Sequence, residues 1–512
     1  MNHQALPLCA KGYNPPTQFE PSPDEVTIMA AKKRAKKDDK EGKKSKLEEK
    51  LLMKEEMIWD GLSKKEEKAV MSFCEGYKDF LSRGKGLREV AKLIVGAAEA
   101  SGFKNLAKVK TAKPGTKVYL VNRGKGVAMA VLGKRPLTDG INLVASHIDA
   151  PRLDLKQKPL YEDGATKLAM LRTHYYGGVK KYQWASIPLS LHGSVVLANG
   201  KTVDIAIGEE PDDPVFVVPD LLPHLWRQSQ AKRKAPDVMK GEDMNILVAS
   251  RPVDDEKAKE KVKLAVLDHL NRKYGMVEED FISAEIEAVP TGPARDVGID
   301  RSMIGSYGQD DRVCAYTSLE AIMGVKTPER TALALFVDKE EIGSDSNTGI
   351  KSRFLQNFVG DLMALSDPAY PDSALRRSLA RSKCLSSDVN AGINPSFKEV
   401  HEAQNAALIG RGIVITKFTG SGGKYTANDA SAEYVGEIRN MLNKAKVPWQ
   451  YGALGKVDEG GGGTVAKYLA ELDMDVIDAG TALISMHSPF EISSKVDVWS
   501  TYRAFEEFYK IK

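Results

Sequence analysis

Five separate segments of the chain deliver histidine or carboxylate groups where an apolar run ends. INLVASHIDAPR carries His147 and Asp149, and TALALFVDKEE runs into Glu340 and Glu341. KCLSSD stops at Asp388, and GTALISMHS reaches His487. YGQDDR sets Asp310 and Asp311 directly before CAYTSLEAIMG, which reads as a helix. In an extended strand the His-x-Asp spacing puts both polar groups on one side. In open α/β sheets ligands bind at the carboxyl ends of the strands. If these ends converge, the negative charge is dense and costly unless cations neutralise it. Histidine and carboxylate donors without cysteine suit zinc, with manganese or cobalt as alternatives. Two ions need a shared carboxylate and a separation of about 3.5–4 Å. The neighbours Glu340 and Glu341 suit a divided duty. On extended backbone their side chains diverge, so one can ligate while the other faces the attacking water as general base.

The other polar clusters carry weaker signals. KVDEGGGGT at 456–464 lacks the Gly-Lys-Ser/Thr ending of a P-loop, and a close backbone approach to substrate or metal suits it better. KFTGSGGKYTAND at 417–429 carries Lys417, Lys424 and Tyr425 in a polar loop of the kind that shapes pockets. Of the eight histidines, His3, His269 and His401 sit in polar surroundings that predict solvated or structural roles. His192 follows the alternating IPLSL and is expected on a sheet surface; His174 and His224 fit either a structural or a substrate-facing place.

Positioning these groups calls for a sheet with helices on both faces. The stretch from Leu47 to Gly102 has helical periodicity, and VYLVN, GVAMAVLG and INLVAS then read as strands. Between about 153 and 290 the texture changes to short β-like pieces (IPLSLHGSVVLANG, KTVDIAI, VFVVP) and one charged helix, as in an inserted module. From about 291 strands alternate with helices, which predicts an α/β sheet covered on both faces.

Composition excludes several classes. The 512 residues are 42% hydrophobic and 28% charged, the balance of a globular chain. No apolar run approaches the ~18 residues of a membrane span, and the N-terminus lacks the layout of a secretory signal. Four scattered cysteines without a CxxC pair predict reduced thiols in a cytoplasmic protein. The first 31 residues are Pro-rich and aperiodic, and read as a tail. The net charge of +4 resides in residues 32–46, whose nine basic and three acidic residues sum to +6 and leave −2 for the rest. That run has no interleaved aromatics, so the stacking part of single-strand nucleic-acid binding is missing.

Taken in order, ASHIDAPRLDLK, GQDDRVCAYTSLEA, VDKEEIGSDSNTG, SSDVNAGINP and MHSPFEISS resemble the aspartyl aminopeptidase / aminopeptidase I family of dinuclear zinc metallopeptidases, in its bacterial branch. The resemblance spans roughly residues 60–512. It implies a mixed-sheet α/β catalytic domain (51–152 and 291–512), a β-rich dimerisation domain inserted at 153–290, and a disordered or basic tail at 1–50. It implies that His147, Asp310 and Asp388 hold one ion and Asp310, Glu341 and His487 the other, with Asp310 bridging. Glu340 would be the general base, and Asp149 would orient a ligand histidine. Lys417, Tyr425 and His224 match positions that contact substrate. Relatives of the eukaryotic type carry a histidine where this chain has Ala391, so their acidic-residue preference is not carried over. The family also implies a homododecamer built from dimers, acting on peptides with a free N-terminus, without membrane or nucleic acid.

The expected function is therefore a metal-dependent aminopeptidase. Two other readings are open on the residues alone: a two-metal amidase or deacylase of non-peptide amides, and a non-catalytic assembly binding anionic partners through its basic tail.

Overall fold

In the computed structural model, four parallel strands form the heart of a nine-stranded mixed sheet, in the order Thr331–Val337, Ile141–His147, Lys383–Ser386 and Asp475–Gly480. Antiparallel strands Gly126–Val131 and Ile413–Thr416 flank this block. The structure describes residues 45–53 and 56–512. The Pro-rich segment, His3, Cys9 and all but the end of the basic run lie outside them. Residues 1–55 and 56–512 are separate units; in the first, the described part is the helix Lys46–Leu51 with a Ser45 capping box.

The near-continuous apolar runs follow from burial on two faces. Val144, Ala332, Ala334 and Phe336 point into one core, packed by helices Lys64–Arg83, Leu87–Ala100, Gln309–Gly324, Ala432–Ala445 and Lys495–Phe508. Leu143, Ala145, Leu333, Leu335 and Val337 point into the other, packed by Phe354–Ser366 and Asp372–Ala380. Each fully buried Leu, Val or Phe here contributes about 1.5–3 kcal/mol. Spaced three or four residues apart, Val70, Cys74, Tyr77 and Leu81 bury one stripe of Lys64–Arg83, and Ser63 with Glu66 closes a capping box at its start.

Residues 152–290 contribute a six-stranded sheet with its own apolar cluster. Its strands include Arg152–Glu162, Ala169–Tyr176, Leu189–Val196, Thr202–Ile207 and Ala284–Pro290. VFVVP makes only isolated bridges at Phe216 and Val217. The charged helix begins at Lys261 and ends at Tyr274. A third, five-stranded sheet includes Met303–Ser306, Ala482–Ile484 and Glu491–Ser494.

His192 departs from its expected surface place. It is 2% exposed, because the start of helix Leu87–Ala100 covers that side of the sheet. Its Nδ1 lies 2.8 Å from Glu89 Oε1 and its Nε2 lies 3.4 Å from Glu209 Oε1. Among the described residues no helix is long and apolar enough to cross a membrane. Cys74, Cys314 and Cys384 are buried free thiols.

Candidate active site

The parallel strands bring their carboxyl ends together in register. Val337 aligns with His147, and Ser386 aligns with Ala145. The chain beyond Val337 turns through Lys339, at φ 73°, into a 3-10 turn over Glu340–Ile342. The Glu340–Glu341 pair therefore sits on a tight turn, where extended backbone was expected. Two residues past Ser386 the chain reaches Asp388. Asp310 enters from a different direction, at the start of helix Gln309–Gly324, where Asp310 and Asp311 have non-helical backbone. His487, at φ 63°, lies in the loop between two strands of the five-stranded sheet.

These residues converge around Asp310. One of its oxygens lies 3.2 Å from His147 Nε2, and the other lies 3.1 Å from His487 Nε2. Asp388 Oδ1 is 4.0 Å from His147 Nε2, and Glu341 Oε2 is 3.5 Å from His487 Nε2. Both imidazoles are set from behind. His147 Nδ1 is 3.0 Å from the Asp149 carbonyl, and His487 Nδ1 is 3.1 Å from that of Gly178. A carbonyl only accepts, so each Nδ1 carries the hydrogen and each Nε2 faces the acids.

Asp149 is fully buried, and its Oδ1 lies 3.3 Å from His147 Nδ1. Its carboxylate accepts the backbone N–H groups of Glu340 at 3.2 Å and Glu341 at 3.3 Å.

The electrostatics are those of a cation site. Burial, reinforced by the charge of Asp310, holds Glu341 well above the carboxylate range. Burial, reinforced by Glu340, does the same to Asp388. Burial pushes Glu340 up to about 7, against the pull of His147 and with help from Asp149 and Asp310. Burial would also raise Asp310, but its hydrogen bonds to His147 and His487 hold it below the ordinary range. Asp311 Oδ1 and Glu341 Oε1 are buried without a hydrogen-bond partner. Donor atoms of His147, Asp310 and Glu341 lie within 4.8 Å of one another, as do those of His147, Asp311 and Asp388. The donors fit divalent ions, and the second trio adds Asp311, which the sequence had not singled out as a ligand.

A cavity of about 530 Å³ opens over this cluster. Asp310, Glu340, Glu341, Asp388 and His487 line its floor. Thr416, at the end of strand Ile413–Thr416, lines it beside Thr419, Thr426 and Gly461–Thr464 from the two Gly-rich loops. Gly420 N–H bonds to Gly462 C=O at 2.6 Å and ties those loops together. Lys417 and Tyr425 belong to the first loop but are not lining residues. Lys417 Nζ lies 3.9 Å from Asp429, and Tyr425 is 73% exposed. His224 lies on the exposed helix Pro223–Ser229 and does not line the cavity.

Several partners were not legible in the sequence. Glu491 accepts the backbone N–H groups of both Asp310 and His487, and Tyr176 donates its hydroxyl to Asp149. Asp478, beside Ser386 in the parallel sheet, lines the cavity and is pushed up to about 6 by burial.

Comparison with known proteins agrees with this arrangement. Residues 80–509 match the family described as aminopeptidase I zinc metalloprotease (M18). A probable M18 family aminopeptidase 1 of Clostridium acetobutylicum is 49% identical over 462 residues, covering 90% of this chain and 98% of its own. The crystal structure of an M18 family aminopeptidase from Thermotoga maritima superposes with a TM-score of 0.85 at 45% identity, over 90% of this chain and 99% of that one. The yeast mApe1 dodecamer, 21% identical, shares the fold at a TM-score of 0.70 over 87% of this chain and 97% of its own. With histidines and acids gathered at the strand ends and a match that runs from residue 80 almost to the C-terminus, the chain belongs to the M18 family of aminopeptidase I zinc metalloproteases.

Proposed function

We propose that this chain removes the N-terminal residue of peptides, by attack of water on the first peptide carbonyl at a site for two divalent cations. The observation that carries this reading is Asp310, which faces His147 with one oxygen and His487 with the other. On that axis His147, Asp310 and Asp388 would hold one ion, and Asp310, Glu341 and His487 the second. Zinc is the family's metal, and manganese or cobalt would suit the same nitrogen and oxygen donors. Bound there, the ions would polarise the carbonyl and stabilise the negative charge that develops on its oxygen.

Glu340 is the base in this scheme. It lines the cavity floor, and the Asp149 carboxylate holds its backbone N–H. It would take a proton from the attacking water and hand it to the leaving amine as the C–N bond breaks. Asp149 would hold His147 with its Nε2 toward the acids. Lys417 and Tyr425 would contact substrate from the loop that walls the cavity. His224 faces solvent on the inserted segment, so a substrate contact from it would have to be made in a neighbouring subunit's cavity.

The segment 153–290 would be the dimerisation module of a homododecamer. Its exposed Val215, Leu221, Leu222, Leu225 and Trp226 support this.

The test is a panel of aminoacyl-arylamides and N-acyl amino acids, assayed with zinc, manganese and cobalt in turn. Hydrolysis of substrates with a free amino group, abolished by chelator and restored by metal, is the expected result. Turnover of N-blocked substrates alone would point to a deacylase, and indifference to chelator would defeat the metal reading.

A further inference from the structure

The six-stranded sheet reaches the catalytic floor through Tyr176–Gly178, immediately after the edge of strand Ala169–Tyr176. Tyr176 is 6% exposed, and its hydroxyl donates to Asp149 Oδ2 at 2.7 Å. The same carboxylate receives Glu341 N–H on that oxygen at 3.3 Å, and Glu340 N–H on the other at 3.2 Å. His147 Nδ1 lies 3.3 Å from Oδ1. Of these donors, the tyrosine makes the shortest contact, and it is the one supplied by the inserted sheet.

The ring is held so that this hydroxyl is aimed. Arg152 sits opposite Tyr176 across the strand pair, and its guanidinium lies 3.7 Å from the ring centroid. Arg152 is in turn fixed by Asp154 at 2.7 Å and Glu287 at 3.6 Å. Lys339, the residue before Glu340, approaches the same ring at 5.3 Å. Two residues beyond Tyr176, Gly178 packs so closely that a Cβ there would meet His487 Nδ1 at 3.1 Å, and Gly177 between them is left-handed, at φ +73°.

We propose that Tyr176 is a positioning residue of the active site, through which the inserted sheet fixes the Asp149 carboxylate and, with it, His147 and the Glu340–Glu341 turn. The inference rests on the aminopeptidase reading above and adds to it that the floor depends on the six-stranded sheet of the inserted segment as well. A buried carboxylate that loses its shortest donor is held less firmly by the weaker contacts that remain, and the groups it positions gain freedom with it. Outer partners of this kind affect metal affinity or activity by about 10–100-fold.

Tyr176→Phe in the full chain tests this, since it removes the hydroxyl and keeps the ring on Arg152. The expected result is a kcat about tenfold lower with KM within about twofold, and metal lost to a competing chelator at about tenfold lower chelator concentration. In an Asp149→Asn background, Tyr176→Phe should lower kcat no further, because the tyrosine acts through that carboxylate. Wild-type kcat and metal retention in Tyr176→Phe would overturn the proposal, and so would losses that add in the double variant. Failure of the wild-type chain to release any N-terminal residue would instead defeat the functional reading, and metal retention in Tyr176→Phe would still decide the role of the tyrosine.

Discussion

The Glu491 carboxylate is fastened to His487 by the histidine's own backbone, whose N–H reaches Oε1 at 2.7 Å. The other oxygen accepts Asp310 N–H at 3.1 Å. One buried side chain thus sets the spacing of two residues that arrive separately, one at the start of helix Gln309–Gly324 and one in the loop before strand Glu491–Ser494. Glu491→Gln puts an amide N–H where one of those acceptors was. We expect a stability loss of about 1–3 kcal/mol from the unsatisfied donor, read from urea denaturation, together with weaker metal retention. Unchanged denaturation and unchanged metal content would show that the clamp does not matter.

Glu340→Gln keeps the shape of the base and removes its ability to take a proton. The variant should bind metal as the wild type does and lose about 10²–10⁴-fold in kcat. Metal analysis alongside steady-state kinetics checks both halves. Near-normal kcat would assign the base elsewhere.

The metal-free protein should lose stability as pH rises. Burial pushes Asp478 up to about 6, Glu340 and Asp497 up to about 7, and Glu491 up to about 8. A carboxyl whose folded pKa is raised binds its proton more tightly when folded, so its contribution is full below the unfolded value near 4 and is lost as pH climbs through the folded one. Burial works to lower His487, but the hydrogen bond to Asp310 and the charge of Glu341 raise it to about 10, so its contribution is likewise lost upward. Thermal melts between about pH 5 and pH 8 should therefore fall with pH, and added zinc should stabilise most at the alkaline end, where the acids are ionised. Melting temperatures that rise across that window would contradict this.

Removing residues 1–46 should leave kcat/KM for peptide substrates nearly unchanged, since among the described residues the cavity is lined from Gly178 onward. Salt-sensitive retention on an anionic matrix should fall. A large loss of turnover would give the basic segment a catalytic part.

What the sequence could announce was what strand ends announce. His147, Glu340, Glu341 and Asp388 each follow an apolar run, and in a parallel sheet such ends share one side. Asp310 and His487 were legible as polar groups at element boundaries. Glu491 was not, because a carboxylate in PFEISS gives no sign that it folds back onto two N–H groups. Tyr176 hid for the same reason, its partner lying 27 residues away in the loop after strand Ile141–His147. Alternation correctly gave His192 a sheet face but could not say that Glu89 and its helix cover that face. The tight turn under Glu340 was equally silent, since a left-handed Lys339 carries no sequence mark.

The bond between Gly420 and Gly462 joins two loops that hold none of the proposed metal ligands. The wall that a substrate side chain would meet and the floor where its peptide bond would break are thus separate inheritances. On the aminopeptidase reading, substitutions at Thr419 and Thr426 would retune which residue is accepted without touching a proposed ligand, so the same chemistry could serve different side chains.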